Sequence, residues 1–300
     1  MKAIAQTLSA SVLVERSWAA VFADLVKARL TLLVLLTTLV GFYLGCRGPV
    51  GWGLMIHTVL GMALLASGGA ALNQWLEREP DALMARTRNR PLPSGRLQPE
   101  TVLTFGCVAS AAGLAYFALA VNPLTAMLGV ITLGGYLFIY TPLKRVTWLN
   151  TLVGAVPGAL PPVMGWTAAR GELSAGAWAL FGILALWQLP HFFAIAWIYR
   201  EEYARAGFRM LPQVDPDGRR TARQSVAYTV ALLAVSLCPF ALKLTGPIYL
   251  ASALMLGGVY LACALQFAQR LTEAKARQMF FASILYLPLL LAVLTLDKLR

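Results

Sequence analysis

The sequence predicts an all-α polytopic membrane protein with nine transmembrane helices, and three observations predict it. Hydrophobic residues make up 59% of the 300 residues and charged residues only 13%, whereas a soluble domain carries about 25% charged residues. The charge is gathered into short segments between long apolar stretches, and the mean hydropathy is +0.68. A hydrocarbon core about 30 Å thick asks for roughly 20 apolar residues per helix, and these stretches approach or reach that length. The third observation is an asymmetry of Lys and Arg between alternate loops, described below.

Taken in order, the chain opens with a tail, 1–27, that includes Glu15, Arg16, Asp24 and Lys27. It is too long and too mixed in charge for the n-region of a cleaved signal peptide, so the first span is expected to be retained. Its later part, near 11–27, reads as an amphipathic segment on the membrane surface. The apolar stretches then run over 30–46, 53–75, 102–121, 126–140, 149–168, 175–197, 226–242, 248–267 and 280–296. The fourth is short, and Leu124 and Thr125 extend it. No room is left for a soluble domain, so 1–300 reads as a single integral-membrane domain with 1–27 as its cytoplasmic tail.

With nine spans, the tail and the second, fourth, sixth and eighth loops share one side. That side holds all but five of the 25 basic residues, the exceptions being Arg47, Arg170, Lys243, Lys298 and Arg300. Lys and Arg stay on the cytoplasmic side, which predicts an amino end inside and a carboxyl end outside. The net charge of +12 therefore does not point to nucleic acid. Basic residues beside membrane spans mark topology, or contact with anionic lipid or an anionic substrate. Cys46, Cys107, Cys238 and Cys263 stand singly, without metal-ligand or disulfide spacing, and read as packing residues.

Two loops on the basic side are richer in polar residues than the rest, 73–100 after the second span and 199–223 after the sixth. The parent spans are four apart, which puts both loops on one face and suggests two parallel four-helix units plus a ninth helix. The second span ends in Asn73-Gln-Trp-Leu-Glu77-Arg-Glu79-Pro80-Asp81. Asn73 and Glu77 are four apart and share a helical face. Asp81 continues the spacing, although Pro80 must disturb the helix just before it. Three oxygen-bearing side chains where a membrane helix opens to water suit a hard cation such as Mg²⁺, which completes its shell with water and phosphate oxygens. Arg86, Arg88, Arg90 and Arg96 follow in a Pro-limited loop, where guanidinium groups can meet an anion from several directions. A solvated loop that merely sets topology is the bland reading, and it suits Arg96 alone. The acids at a buried helix end favour function for the rest.

The sixth span ends in Gln188-Leu-Pro190-His191-Phe-Phe and runs on to Tyr199-Arg200-Glu201-Glu202-Tyr203. Two acidic clusters facing each other across a bundle can hold one diphosphate through Mg²⁺. Departure of that diphosphate leaves an allylic cation, which the ring faces of Tyr140, Tyr199 and Tyr203 can stabilise. A lone His is commonly structural. His191, with Gln188, Pro190 and aromatic neighbours, is weighed evenly between structure and ligand contact, haem iron being a common partner of His. His57, near the far end of the second span, reads as structural. A third basic-side loop, Tyr140-Thr-Pro-Leu-Lys144-Arg145, offers two cations to a diphosphate. Beyond it, Gly154-Ala-Val-Pro157-Gly-Ala-Leu-Pro161-Pro162 is expected to break up the fifth helix.

These residues resemble the UbiA-type intramembrane prenyltransferases, and within them the branch that farnesylates haem. The resemblance is carried by Asn73-x3-Glu77-x3-Asp81-x2-Met84-x-Arg86-Thr87-x2-Arg90-Pro91-Leu92 and by Tyr140-Thr-x-Leu-Lys-Arg. It continues in Gly158-Ala-x-Pro-Pro-x-x-Gly165-Trp166, Pro190-His191-Phe192 and Glu202-Tyr203-x3-Gly207-x2-Met210-Leu211-Pro212. It covers Lys27 to about Pro212 and implies a nine-helix prenyltransferase bundle in a bacterial inner membrane. It implies farnesyl diphosphate as donor and haem b as acceptor, the farnesyl chain joining a vinyl group, water supplying a hydroxyl and diphosphate leaving. It also implies Mg²⁺, and a supporting role in assembling haem-copper terminal oxidases, with haem A synthase or oxidase assembly factors as partners. By the same carry-over, Asn73, Glu77 and Asp81 bind Mg²⁺–diphosphate. Arg86, Arg90, Lys144 and Arg145 sit on its oxygens. Glu201 and Glu202 form the second metal site beside Tyr203, and His191 contacts haem.

Two departures stand out. Lys27-Ala28-Arg29 lacks the Pro expected between its two cations, and Glu201-Glu202 replaces the Asp-rich motif of quinone-type relatives, which favours haem over a phenolic acceptor. Three other readings stay open from the residues: a related prenyltransferase acting on a phenol, naphthoate or chlorophyllide; a transporter of an anionic substrate; and a haem-binding assembly factor. Paired acids on the basic side are poorly explained by a transporter, and an assembly factor needs no isoprenoid diphosphate.

Overall fold

The computed structural model describes residues 17–299; positions 11–16 of the expected surface segment, and Arg300, lie outside them. A short helix α1 (Trp18–Leu25) precedes the first span, α2 (Ala28–Gly45). Next come α3 (Trp52–Leu76), the one-turn α4 (Arg78–Ala82) and α5 (Pro99–Ala120). Helix α6 (Pro123–Gly134) passes through a π-helical segment, Gly135–Tyr140, into α7 (Thr141–Val146). Then follow α8 (Asn150–Arg170), α9 (Ala175–Ile198) and the short α10 (Arg200–Arg205). Helix α11 (Arg219–Val235) with its extension α12 (Cys238–Ala241), α13 (Pro247–Arg270) and α14 (Glu273–Leu296) complete the bundle. Among the described residues nine helices are long and apolar enough to cross a membrane, in the order the sequence predicts.

Local chemistry explains the ends. Pro99, Pro123 and Pro247 open their helices, where a missing N–H costs nothing and the fixed φ already suits a helix. Helices α11 and α14 begin at Arg219 and Glu273, seven residues before the apolar stretches they carry. An apolar run marks the bilayer crossing, while backbone hydrogen bonding continues into water. Helix α1 is apolar apart from Asp24. Ser17 caps it, its hydroxyl accepting from Ala20 N at 3.3 Å. Val21 and Leu25 are buried, while Trp18 and Phe22 are exposed.

The fifth span departs from expectation. Pro157, Pro161 and Pro162 lie inside one continuous helix, α8, rather than breaking it. All three are buried, and membrane helices keep such prolines where neighbours satisfy the freed backbone groups. Gln188 of α9 lies against Gly158 and donates to the Ala155 carbonyl at 3.4 Å, a packing contact beside the prolines rather than a replacement for the hydrogen bonds they remove. Helix α8 also crosses α2 very closely. A Cβ on Gly41 would stand 1.9 Å from the Pro162 carbonyl oxygen, and one on Gly165 would stand 1.9 Å from that of Thr38. Small residues are what allow two membrane helices this approach. Helix α8 packs on α9 as well, so the two lie at the centre, with α3 along α5 on one flank and α11, α13 and α14 on the other.

The two ends of the bundle differ in charge, as the loop count predicts. One end gathers Arg47, paired with Glu172 at 2.6 Å, Arg170, which donates to Gly45 O, and Lys298, which donates to Tyr43 O and Cys46 O. At the other end the polar loops fold onto one another. Met84 shares an apolar cluster with Ala196, Tyr203, Phe208 and Met210. Arg209 N donates to Lys144 O at 2.7 Å, and the Asn150 amide donates to Arg209 O at 2.9 Å. The second, fourth and sixth loops thus form one roof over the ends of α3, α6 and α9.

Candidate active site

The site grows from the last turn of α3. Asn73 lies within the helix, Glu77 caps it, and Asp81 falls in the turn of α4 that restarts after it. Pro80 does not end the run, because Asp81 N still donates to Glu77 O at 2.8 Å. All three side chains are buried, with exposures of 1%, 6% and 1%. Oxygen-bearing groups so enclosed require partners, and each finds a cation from a different segment. Lys27 Nζ donates to Asn73 Oδ1 at 2.6 Å. Lys144 Nζ donates to Glu77 Oε1 at 2.7 Å. Arg90 Nη1 donates to Asp81 Oδ2 at 2.5 Å. The Asn73 amide closes the row by donating to Glu77 Oε2 at 3.1 Å and to Thr141 Oγ1 at 3.3 Å.

The electrostatics follow from that pairing. Burial alone pushes Glu77 up, but Lys144 and Lys27 outweigh it and hold its carboxyl below the usual range. Burial wins at Asp81 and raises it, despite the opposing pull of Arg90. Lys27 has an amide rather than a carboxylate as its partner. Burial, helped by the nearby Arg90 charge, lowers its ammonium to about 7. Lys144 and Arg90 balance the two carboxylates, and Lys27, when protonated, adds an excess of positive charge suited to an anion.

Lys27 was not among the residues that spacing singled out, and its position depends on an unusual backbone. It lies in the left-handed region, φ 50 and ψ 53, between α1 and α2, a conformation non-glycine residues seldom adopt. Gln74, the neighbour of Asn73, holds that turn through hydrogen bonds from Nε2 to Asp24 O and Leu25 O at 3.0 and 2.7 Å. The signals in the sequence are its place as the penultimate charge before the first span and as the first cation of Lys27-Ala28-Arg29, where the family resemblance begins.

Aromatic rings border the cluster. Tyr136 and Tyr140 stack at 5.9 Å on the π-helical segment, and Lys144 Nζ lies 4.6 Å from the Tyr140 ring centre. Gly154 of α8 makes room for that ring, since a Cβ there would stand 2.5 Å from it. Arg86 donates to the Tyr203 hydroxyl at 2.7 Å and sits 4.8 and 5.5 Å from the ring centres of Tyr203 and Tyr199.

Other expected residues are not gathered here. Arg145 is exposed and lines, with Glu79 and Arg205, a surface hollow of about 340 Å³. Glu201 and Glu202 line another hollow beside Arg200, Arg205 and Glu273. Glu201 is exposed, and Glu202 Oε2 is buried without a hydrogen-bond partner. Among the described residues no hydrogen bond or ion pair joins either acid to Asn73, Glu77 or Asp81. His191 sits in α9 two turns before its end. Its ring stacks between Trp187 and Phe280, both at 5.0 Å, and its Nδ1 is 2.7 Å from Ser283 Oγ. His57 pairs instead with Tyr116 at 2.9 Å, near the opposite end of α3.

Among the described residues no three His, Cys, Asp or Glu side chains gather closely enough to hold a metal alone. The donor set at α3 fits a different kind of ion. Two carboxylates and an amide oxygen, completed by water and phosphate oxygens, match the habit of Mg²⁺.

Comparison with known proteins agrees with this architecture. The chain is 49% identical over 286 residues to the protoheme IX farnesyltransferase of Solibacter usitatus, covering 92% of this chain and 98% of that protein. It is 44% identical to the enzyme of the same name from Koribacter versatilis, covering 92% and 93%. Among solved structures, a digeranylgeranylglyceryl phosphate synthase superposes with a TM-score of 0.79 at 14% identity, over 93% of this chain and 98% of that one. A UbiA homologue from Archaeoglobus fulgidus, bound to GPP and Mg²⁺, gives 0.62 at 16% identity, over 92% and 99%. Those two likenesses speak for the fold. Residues 34–285 match the UbiA prenyltransferase family, and the chain belongs to it.

Proposed function

We propose that this chain transfers the farnesyl group of farnesyl diphosphate to a vinyl group of protohaem IX, with Asn73, Glu77 and Asp81 holding Mg²⁺ on the cytoplasmic side of a bacterial inner membrane. The observation that carries the donor half is the one-to-one pairing of three buried oxygen donors with Lys27, Lys144 and Arg90. The acceptor follows the activity for which the bacterial relatives are named. The orientation rests on the basic loops, with the amino end inside and the carboxyl end outside. As a family enzyme for haem, the chain would work beside haem A synthase or oxidase assembly factors.

The chemistry is an ionisation followed by capture. The allylic C–O bond breaks and its electron pair leaves with diphosphate. The vinyl π electrons form the new C–C bond, and water adds to the resulting cation beside the porphyrin ring, losing a proton. Bound at Asn73, Glu77 and Asp81, Mg²⁺ supplies charge neutralisation for the leaving group. Lys27, Lys144 and Arg90 are placed to exchange those side chains for diphosphate oxygens, and Arg86 stands nearby. The faces of Tyr140, Tyr199 and Tyr203 can stabilise the allylic cation. Arg145 lies in the outer hollow, where it would guide the anion rather than clamp it. Glu202, with an unpartnered buried oxygen, remains the better candidate of the two α10 acids for a second metal contact.

The hydrogen bonds of His191 support its role in haem contact. Ser283 Oγ donates to Phe280 O, so its one hydrogen is committed and it accepts from His191 Nδ1–H. The imidazole then carries its lone pair on Nε2, the arrangement seen where an outer partner fixes the tautomer of a metal-ligating His.

The test is diphosphate release by the purified protein with Mg²⁺ and farnesyl diphosphate, comparing haem b with 4-hydroxybenzoate as acceptor. Stimulation by haem alone is expected. Stimulation by the phenol alone would move the chain to a quinone-type acceptor, and no diphosphate release under any of these conditions would return the transporter reading.

A further inference from the structure

Thr141 is buried where the π-helical segment ends and α7 begins, and its hydroxyl donates to the Tyr136 carbonyl at 2.8 Å. The backbone N–H of Thr141 meets that same carbonyl, so Tyr136 O receives both hydrogens that this residue can give. A hydroxyl whose single hydrogen is committed can offer its neighbours only lone pairs. The neighbour is Asn73, whose amide nitrogen lies 3.3 Å away.

This settles which way the Asn73 amide faces. One of its N–H groups points to Thr141 Oγ1 and the other to Glu77 Oε2 at 3.1 Å. Its carbonyl oxygen receives Lys27 at 2.6 Å. Turned over, the amide would set oxygen against a carboxylate and against a hydroxyl with no hydrogen to give, and NH₂ against an ammonium. Lys27 cannot guard the orientation throughout a reaction cycle in which it moves to substrate oxygens. The Thr141 contact involves neither metal nor substrate and persists. The π-helical segment matters because its longer turns, closing on the fifth residue, bring the Tyr136 carbonyl within reach of both Thr141 donors.

We propose that Thr141 is a positioning residue: it holds the NH₂ of Asn73 so that the amide oxygen faces the Mg²⁺–diphosphate. This rests on the assignment of Asn73 as a metal ligand in the reading above. Its effect is on metal affinity, because an outer partner that orients a ligand is commonly worth about 10- to 100-fold in metal binding when removed.

The experiment measures binding of farnesyl thiodiphosphate, which does not ionise readily, to the full chain in detergent across a Mg²⁺ titration, by calorimetry. Thr141→Val keeps the shape and removes the hydroxyl, and the Mg²⁺ needed for half-maximal binding is expected to rise about 10-fold or more. Thr141→Ser restores the hydroxyl and is expected to return it close to the unmutated value. Thr141→Ala replaces the Val variant if that fails to elute as a single folded species. Binding by the Val or Ala variant with unchanged Mg²⁺ dependence overturns the role of Thr141 while leaving the metal site standing. Analogue binding by the unmutated protein that ignores Mg²⁺ overturns the metal-site reading, and this inference falls with it.

Discussion

Lys144 and Glu77 form an ion pair at 2.7 Å in which the side chains are only 12% and 7% exposed. The two belong to segments 67 residues apart in sequence. Removing one partner of such a pair strands a buried charge, which costs about 3–5 kcal/mol. Lys144→Met is therefore expected to lower the thermal unfolding temperature of the detergent-solubilised protein markedly. The double variant Lys144→Met with Glu77→Gln recovers most of that loss but no turnover. Equal melting temperatures for the single variant and the unmutated chain would mean that the pair is not formed.

Asp81 is held by Arg90 at 2.5 Å, and its backbone carbonyl accepts from Thr87. Asp81→Asn retains the shape and an acceptor for Arg90, so the folded yield should be preserved. Turnover should fall by about 100-fold or more, beyond what the loss of an outer partner commonly causes. A folded Asn variant with ordinary turnover would remove Asp81 from the metal site.

His191→Ala should weaken haem retention, followed through the haem absorption spectrum, while leaving binding of farnesyl thiodiphosphate nearly unchanged. Ser283→Ala, which frees Nδ1 and so the choice of tautomer, should produce a smaller loss of the same kind. Unaltered haem affinity and spectrum in His191→Ala would make its stacking between Trp187 and Phe280 purely structural.

Asp215 offers a test of the roof that is independent of the chemistry. It is buried and accepts from Thr221 N, Thr221 Oγ1 and Arg220 N at 2.6, 2.8 and 3.2 Å, at the start of α11. Burial pushes its carboxyl up, but those hydrogen bonds outweigh burial and hold it below the usual value. A depressed carboxylate adds stability above its unfolded pKa of about 3.9 and loses it as pH falls through the lower folded value. Asp215→Asn should therefore cost about 1.5–3 kcal/mol, by a constant margin from neutral pH down to about pH 5, and a shrinking one below about pH 4. A deficit that grew on acidification would contradict the assignment.

Much of this architecture was legible in the sequence, for reasons particular residues make clear. Apolar runs register bilayer crossings directly, and Asn73 and Glu77 announce a shared face by their four-residue spacing. The loops were harder. Lys144 reaches the acids and Arg145 does not, since neighbouring residues on a helix point about 100° apart and spacing alone did not give the phase of α7. Lys27 read as a topology charge because a left-handed backbone in a lysine leaves no pattern to detect. The role of Thr141 needed the π-helical segment, which no periodicity disclosed. Pro157, Pro161 and Pro162 looked like helix breakers, because the packing of Gln188 and α2 against α8 is a tertiary fact.

The central claim is that this site joins a farnesyl group to haem. Its most direct test is to incubate the purified chain in detergent with Mg²⁺, haem b and farnesyl diphosphate, then extract the haem for mass spectrometry. The account predicts a haem heavier by one farnesyl group and one water, formed only when Mg²⁺ is present and lost in Asp81→Asn. Haem recovered unchanged from protein shown to be folded would contradict it.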